Sequence, residues 1–182
     1  MVQIPPGPYK IDSSHGRLTL RTFREGMASV IGHDLIIDVT RWNGTVNVPD
    51  AGGLARLDFD IDMGSFEVRE GLHGVKPLTD GDREEIKGSI AETLKTGDHR
   101  KASFKSRTVK LEGDRATVDG EFTLAGATQP LQITVQGNGG RTFTGKAVVQ
   151  QTLWGIKPYK AFLGALKVRD TVEIEATVTL PG

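Results

Sequence analysis

The run "GEFTLAGATQPLQITVQG", residues 120–137, alternates apolar and polar side chains on either side of a Gly-Ala-Thr-Gln-Pro hinge. Phe122 and Leu124 share one side of the first half, and Leu131, Ile133 and Val135 share one side of the second. Glu121, Thr123, Gln132, Thr134 and Gln136 occupy the opposite sides. Because successive strand residues point to opposite faces, the pattern reads as half-buried antiparallel sheet. What the apolar side faces is the deciding question: side chains of the same protein, or an interior with room for something else.

The same period recurs outward from this stretch. It predicts strands near 102–111, 115–124, 129–136, 142–151 and 170–180. In the last of these Val172, Ile174, Ala176, Val178 and Leu180 oppose Glu173, Glu175, Thr177 and Thr179. Toward the amino terminus Leu57, Phe59, Ile61 and Met63 alternate with Arg56, Asp58, Asp60 and Asp62. Three carboxylates on one face cannot be buried unpaired, so that face is wet. Residues 9–24 read as a strand pair or one bent strand, with Leu18 and Leu20 against Arg17, Thr19 and Arg21, and with Phe23 breaking the parity. Leu35, Ile37 and Val39 lead to Asn43-Gly44, a pair suited to a two-residue hairpin turn because both central positions need positive φ.

Residues 79–97 change period. Ile86, Ile90 and Leu94 recur every four residues, Thr79 or Asp80 can cap the start, and Gly97 can stop the run, which predicts one amphipathic helix. The chain, residues 1–182, is read as a single domain with an extended lead over 1–8. Short turns and one-sided strands predict an antiparallel meander closed into a barrel, with a β-sandwich as the competing architecture. Glycine, at 23 of 182 residues, is about twice as frequent as in average proteins, as a turn-rich all-β chain requires.

Lys plus Arg equal Asp plus Glu at 23 each, so no overall field draws the molecule to nucleic acid or to an anionic membrane surface, which leaves only local patches to do so. There is no cysteine, which excludes disulfides, Cys-ligated zinc and thiol catalysis. No apolar run reaches the roughly 18 residues of a membrane-spanning helix. The amino terminus as given carries no signal-peptide pattern, so a cytoplasmic location is expected. His15, His33, His73 and His99 lie in separate segments, none at metal-ligand spacing, and no metal or cofactor is predicted. Phosphate-binding loops and Gly-x-Ser-x-Gly elbows are missing from the sequence. The segment 153–170 differs in kind: Trp154, Tyr159, Phe162 and Leu163 lie among glycines, Lys157, Lys160, Lys167 and Arg169. It reads either as a plug at one end of the barrel or as a mouth for a greasy ligand with a polar or anionic head.

Tyr9, Ile11, Asp12 and His15, the run "GEFTLAGATQPLQITV", the piece "WGIKPY" and the closing strand occur in an order that resembles the YceI-like family, lipocalin-like proteins associated with polyisoprenoid binding. That resemblance spans nearly the whole chain. It implies an all-β fold, an eight-stranded antiparallel lipocalin-like barrel with one flanking amphipathic helix and an apolar tunnel, and a carrier more than a catalyst. The chain departs from the family's pattern at Gly16, where a serine commonly follows the histidine, and at Gln151 and Leu153, where an arginine and an aspartate are usual. The helix start "DREEI" also lacks the family's histidine.

The leading expectation is therefore a non-catalytic carrier of an isoprenoid or other long-chain lipid. The residues expected to line its cavity are Leu18, Leu20, Phe59, Ile61, Phe104, Phe122, Leu124, Ile133, Phe143 and Trp154. An enzymatic alternative places Asp12, His15 or His33 as acid or base in a barrel pocket. A third reading is a solid-cored interaction module. A homodimer is compatible with all three.

Overall fold

The computed structural model describes residues 4–182; residues 1–3 of the expected lead segment lie outside the described residues. The architecture is all-β with one helix. The strands are β1 (Gly7–Asp12), β2 (Gly16–Thr22), β3 (Arg24–Glu25), β4 (Asp34–Val39), β5 (Trp42–Val48), β6 (Arg56–Asp62) and β7 (Phe66–Leu72). After helix α1 (Asp80–Leu94) come β8 (Lys101–Glu112), β9 (Arg115–Leu124), β10 (Ala127–Gly137), β11 (Thr142–Gln150), β12 (Lys160–Ala161), β13 (Leu166–Val168) and β14 (Thr171–Thr179).

Eleven strands form one antiparallel sheet in the order β1-β5-β6-β8-β9-β10-β11-β14-β2-β4-β7, curled into a half-barrel. This corrects the expected closed, eight-stranded barrel: there are eleven strands, with edges at β1 and β7. The surplus arises because three passes of the chain are kinked at one level. β1 and β2 are divided by the turn at 13–15, β4 and β5 by residues 40–41, and β6 and β7 by residues 63–65. The kinks are tied together where Thr40 N–H donates to the Ser65 carbonyl at 2.9 Å and Asp62 N–H to the Arg41 carbonyl at 3.0 Å. Above them β4 pairs with β2 and β7; below them β5 pairs with β1 and β6.

The long meander from β8 to β11 and β14 follows the alternation closely. Its Ala125-Gly126 turn puts both residues at positive φ, 49° and 82°, as a tight hairpin needs. The hinge is thus shorter than the sequence suggests, and Pro130 lies inside β10 opposite Glu121. Asn43-Gly44 makes no turn; β5 runs straight through it, and the chain reverses beyond β5, between Val48 and Arg56. Gly44 serves close approach instead: a Cβ there would lie 2.6 Å from the Asp58 carbonyl oxygen and 2.8 Å from the Phe59 ring.

The wet face of β6 is as expected. Asp58 pairs with Arg56 at 2.6 Å, Asp60 with Lys101 at 3.0 Å and Asp62 with Arg41 at 2.9 Å. Exposed pairs of this kind contribute little to stability, but they leave no carboxylate of that row facing apolar surface. Helix α1 starts in a reciprocal cap: Asp82 N–H donates to Thr79 Oγ1 at 3.1 Å and Thr79 N–H to Asp82 Oδ2 at 2.8 Å. It ends on Lys95, whose φ of 52° is left-handed, so the stop comes two residues before Gly97. Ile86, Ile90 and Leu94 face the core.

Candidate functional site

Inside the curled sheet the apolar side chains do not meet everywhere. Two of the cavities between them measure about 1070 Å³ and about 450 Å³. The larger lies within the β1-β5-β6 half and the opposite wall of β8 to β11 and β14. Its walls include Leu18, Val46, Phe104, Ile133, Gly145 and Ala176. The smaller is bordered by β2, β4, β7 and α1, with Leu20, Ile37, Phe66, Ile86 and Ile90 around it. Ile61, Phe122 and Ile174 border both cavities, and so stand between them.

The sequence-derived positions fall as follows. Leu18, Phe59, Phe104, Ile133 and Phe143 border the larger cavity, Leu20 and Leu124 the smaller, and Ile61 and Phe122 both. Trp154 borders neither. It is buried behind Phe122, donating its indole N–H to the Phe122 carbonyl at 2.8 Å and meeting the Phe122 ring edge-on with centroids 5.9 Å apart. That aromatic supports the partition from outside the cavities. Glycines are the wall residues that sequence reasoning missed. Gly145 borders the larger cavity, and a Cβ there would meet only Ile133 Cγ2, at 3.6 Å. A glycine on the apolar side of a regular strand is the available signal, since it gives up packing at that position.

Polar atoms gather at the smaller cavity's opening. Arg24, His33, Lys76, Tyr159 and Lys167 border it, and the buried Gln151 donates its side-chain amide to the Arg169 carbonyl at 3.2 Å. Arg24 is engaged by Asp34, whose Oδ1 accepts from the Arg24 backbone N–H at 2.8 Å and whose Oδ2 lies 3.5 Å from the guanidinium. The 153–170 segment divides its roles. Trp154 and Ile156 are buried, Tyr159 borders the smaller cavity, and Phe162 and Leu163 point into solvent.

Asp12, His15 and His33 do not come together. Asp12 and His15 sit on the exposed turn between β1 and β2, away from both cavities, with His15 Nδ1 at 3.0 Å from Asp12 Oδ1. Hydrogen bonds from the Ser14 hydroxyl at 2.6 Å and the Ser14 backbone N–H at 2.8 Å hold the Asp12 carboxyl below its ordinary range, helped by His15. The group is a turn clasp. His33 borders the smaller cavity, but its Nε2 donates to the Lys76 carbonyl at 2.8 Å, and the neighbouring Asp34 faces Arg24 and His73. Among the described residues no three His, Asp or Glu side chains cluster as metal ligands, and no helix is long and apolar enough to cross a membrane.

The arrangement can enclose apolar matter. A family model described as the YceI-like domain matches residues 9–180. The fold is similar to that of Burkholderia cenocepacia BcnA, with a TM-score of 0.61 at 16 % identity, covering 88 % of this chain and 94 % of that one. It is also similar to the Campylobacter jejuni YCEI protein, with a TM-score of 0.55 at 12 % identity, covering 78 % of this chain and 83 % of that one. Identities this low speak for the fold alone. No functionally curated protein matches the sequence.

Proposed function

This chain belongs to the YceI-like domain family, and from that premise we propose that it is a non-catalytic carrier that holds a long apolar molecule, an isoprenoid or another lipid chain, inside the curled sheet. The observation that supports this most is the larger cavity, about 1070 Å³ of space walled by aliphatic and aromatic side chains from successive strands. Ligand sites for small molecules typically measure about 300–1,000 Å³. Each methylene moved out of water contributes about 0.8 kcal/mol, so a dozen carbons supply roughly 10 kcal/mol before the costs of association. Affinity of that origin needs no polar contact, in keeping with the departures at Gly16, Gln151 and Leu153 from the family's polar pattern. Leu18, Phe59, Phe104, Ile133 and Phe143 are the proposed contacts in the larger chamber, and Leu20 and Leu124 in the smaller, with Ile61 and Phe122 touching both.

Native mass spectrometry of gently purified protein, followed by solvent extraction, is expected to release a co-purifying prenyl or acyl lipid. Protein that carries none, and whose thermal stability does not change on adding prenyl alcohols or fatty acids, would overturn the carrier reading.

A further inference from the structure

Three chain segments surround the opening of the smaller cavity: 23–33, 73–78 and 155–169. They are joined there by hydrogen bonds. Ala28 N–H donates to the Ala165 carbonyl at 2.8 Å, β3 pairs with β13, and His33 Nε2 donates to the Lys76 carbonyl at 2.8 Å.

These segments carry seven of the ten large hydrophobic side chains that stand exposed among the described residues. Met27, Val30 and Ile31 come from the first and Val75 from the second; Tyr159, Phe162 and Leu163 come from the third. Met27 at 98 % and Leu163 at 109 % of full exposure touch almost nothing of their own molecule. Phe162 and Leu163 are consecutive non-glycine residues at positive φ, 50° and 55°, a conformation such residues rarely adopt. That conformation turns two greasy side chains away from the core instead of folding them onto it.

The same segments carry Arg24, Lys76, Lys157, Lys160, Lys167 and Arg169 against a single carboxylate, Glu25, in a chain whose basic and acidic residues balance at 23 each. Glu25 sits 3.7 Å from Lys167 and 3.8 Å from Arg169, Asp34 just past the first segment engages Arg24, and Asp82 and Glu85 of α1 border the same cavity, so the excess rests on Lys76, Lys157 and Lys160, which form no ion pair among the described residues.

We propose that this rim is a docking surface for an anionic lipid bilayer. Loop tips bearing apolar side chains enter the boundary between headgroups and acyl chains, while the lysines set behind them meet the lipid phosphates; this pairing of apolar insertion with basic attraction is what interfacial binding requires. The orientation presses the smaller cavity's opening against the membrane. The inference goes beyond the carrier reading, because attachment depends on the outside of three loops and not on any guest within.

The test is flotation of the full chain with phosphatidylcholine vesicles containing phosphatidylglycerol, set against pure phosphatidylcholine. Wild-type protein is expected to float with the anionic vesicles and to be released by salt. The Met27→Asp/Leu163→Asp variant should lose at least about tenfold in vesicle affinity, given what transfer of two large side chains from water contributes. Lys157→Glu/Lys160→Glu should lose at least about 25-fold, at roughly fivefold for each basic residue removed from near an anionic surface. Both variants alter exposed groups, and unchanged melting curves and unchanged uptake of a prenyl alcohol from detergent would separate docking from cargo binding. Wild-type protein that stays with the soluble fraction overturns the proposal, as do variants that float equally well. Dimers, seen by light scattering, that the Met27→Asp/Leu163→Asp change dissociates while vesicles are ignored would assign the rim to a second copy and overturn it too.

Discussion

The two ends of the interior are built from one alternating pattern yet finish differently. Around the larger cavity the sheet runs out into glycine-rich tips, with Asp50, Gly52, Gly53, Gly113, Asp114, Gly139 and Gly140 at the border. Around the smaller one the sheet stops early, and a helix and three apolar, basic loops complete the wall. The difference lies in the chain between strands. Alternation along β8 to β11 and β14 supplies apolar side chains to both chambers, but only segments free of the strand period can shape an opening.

The strongest way to break the comparison is to remove the support of the partition. Trp154→Ala deletes the indole that backs Phe122 and should cost about 3–5 kcal/mol in denaturant unfolding, whereas Leu163→Ala, in the same segment but in water, should stay within about 0.5 kcal/mol of wild type. Similar losses for both would mean that Trp154 is no more anchored than the loop tip. Filling one chamber comes next. Gly145→Phe projects a ring into the larger cavity past Ile133; it should lower affinity for a long-chain fluorescent probe at least about tenfold while costing no more than about 1–3 kcal/mol of stability. Undiminished binding would move the guest to the smaller chamber.

The finest distinction concerns the helical wall alone. Thr79→Ala removes the cap and should cost about 1 kcal/mol, read as faster amide exchange along α1 with the β8 to β11 ladder unchanged. Hydrogen bonds from Thr79, first its backbone N–H and then its side chain, hold the Asp82 carboxyl below the ordinary aspartate range. A folded-state value depressed in this way means that its stabilising contribution is complete above the ordinary range and is lost as pH falls through the folded value. Acid should therefore fray α1 in the wild type, and Asp82→Asn should be weaker at neutral pH with a flatter acid profile by circular dichroism.

Much of this molecule is readable from residue order. The strands from 101 onward and the helix agree with their periods to within a few residues, because one-sided burial forces a period of two or of about four. Asn43-Gly44 misleads because glycine answers two needs: positive φ in a turn, or room for a neighbour, here the Phe59 ring. The kinks that raise the strand number to eleven are hidden too, since Leu18, Val39 and Trp42 keep facing inward on both sides of the bends. Alternation tells which way Phe122 and Ile133 point and nothing about what lies beyond them, so the cavities emerge only in three dimensions. Trp154 shows the converse: an aromatic in an irregular segment looks like part of a binding surface until its N–H is found on the Phe122 carbonyl.

Helix α1 has a consequence outside the binding question. It lies along β7, the last strand of the sheet, with Lys87 on Glu67 at 3.0 Å. At the sheet's other end β1 carries Pro8, which has no N–H to offer, one glycine beyond Pro5 and Pro6. An open sheet with bare margins would recruit neighbouring molecules strand upon strand toward fibrils. With one margin shielded and the other poor in donors, this protein can keep its sheet unsealed without seeding its own polymerisation.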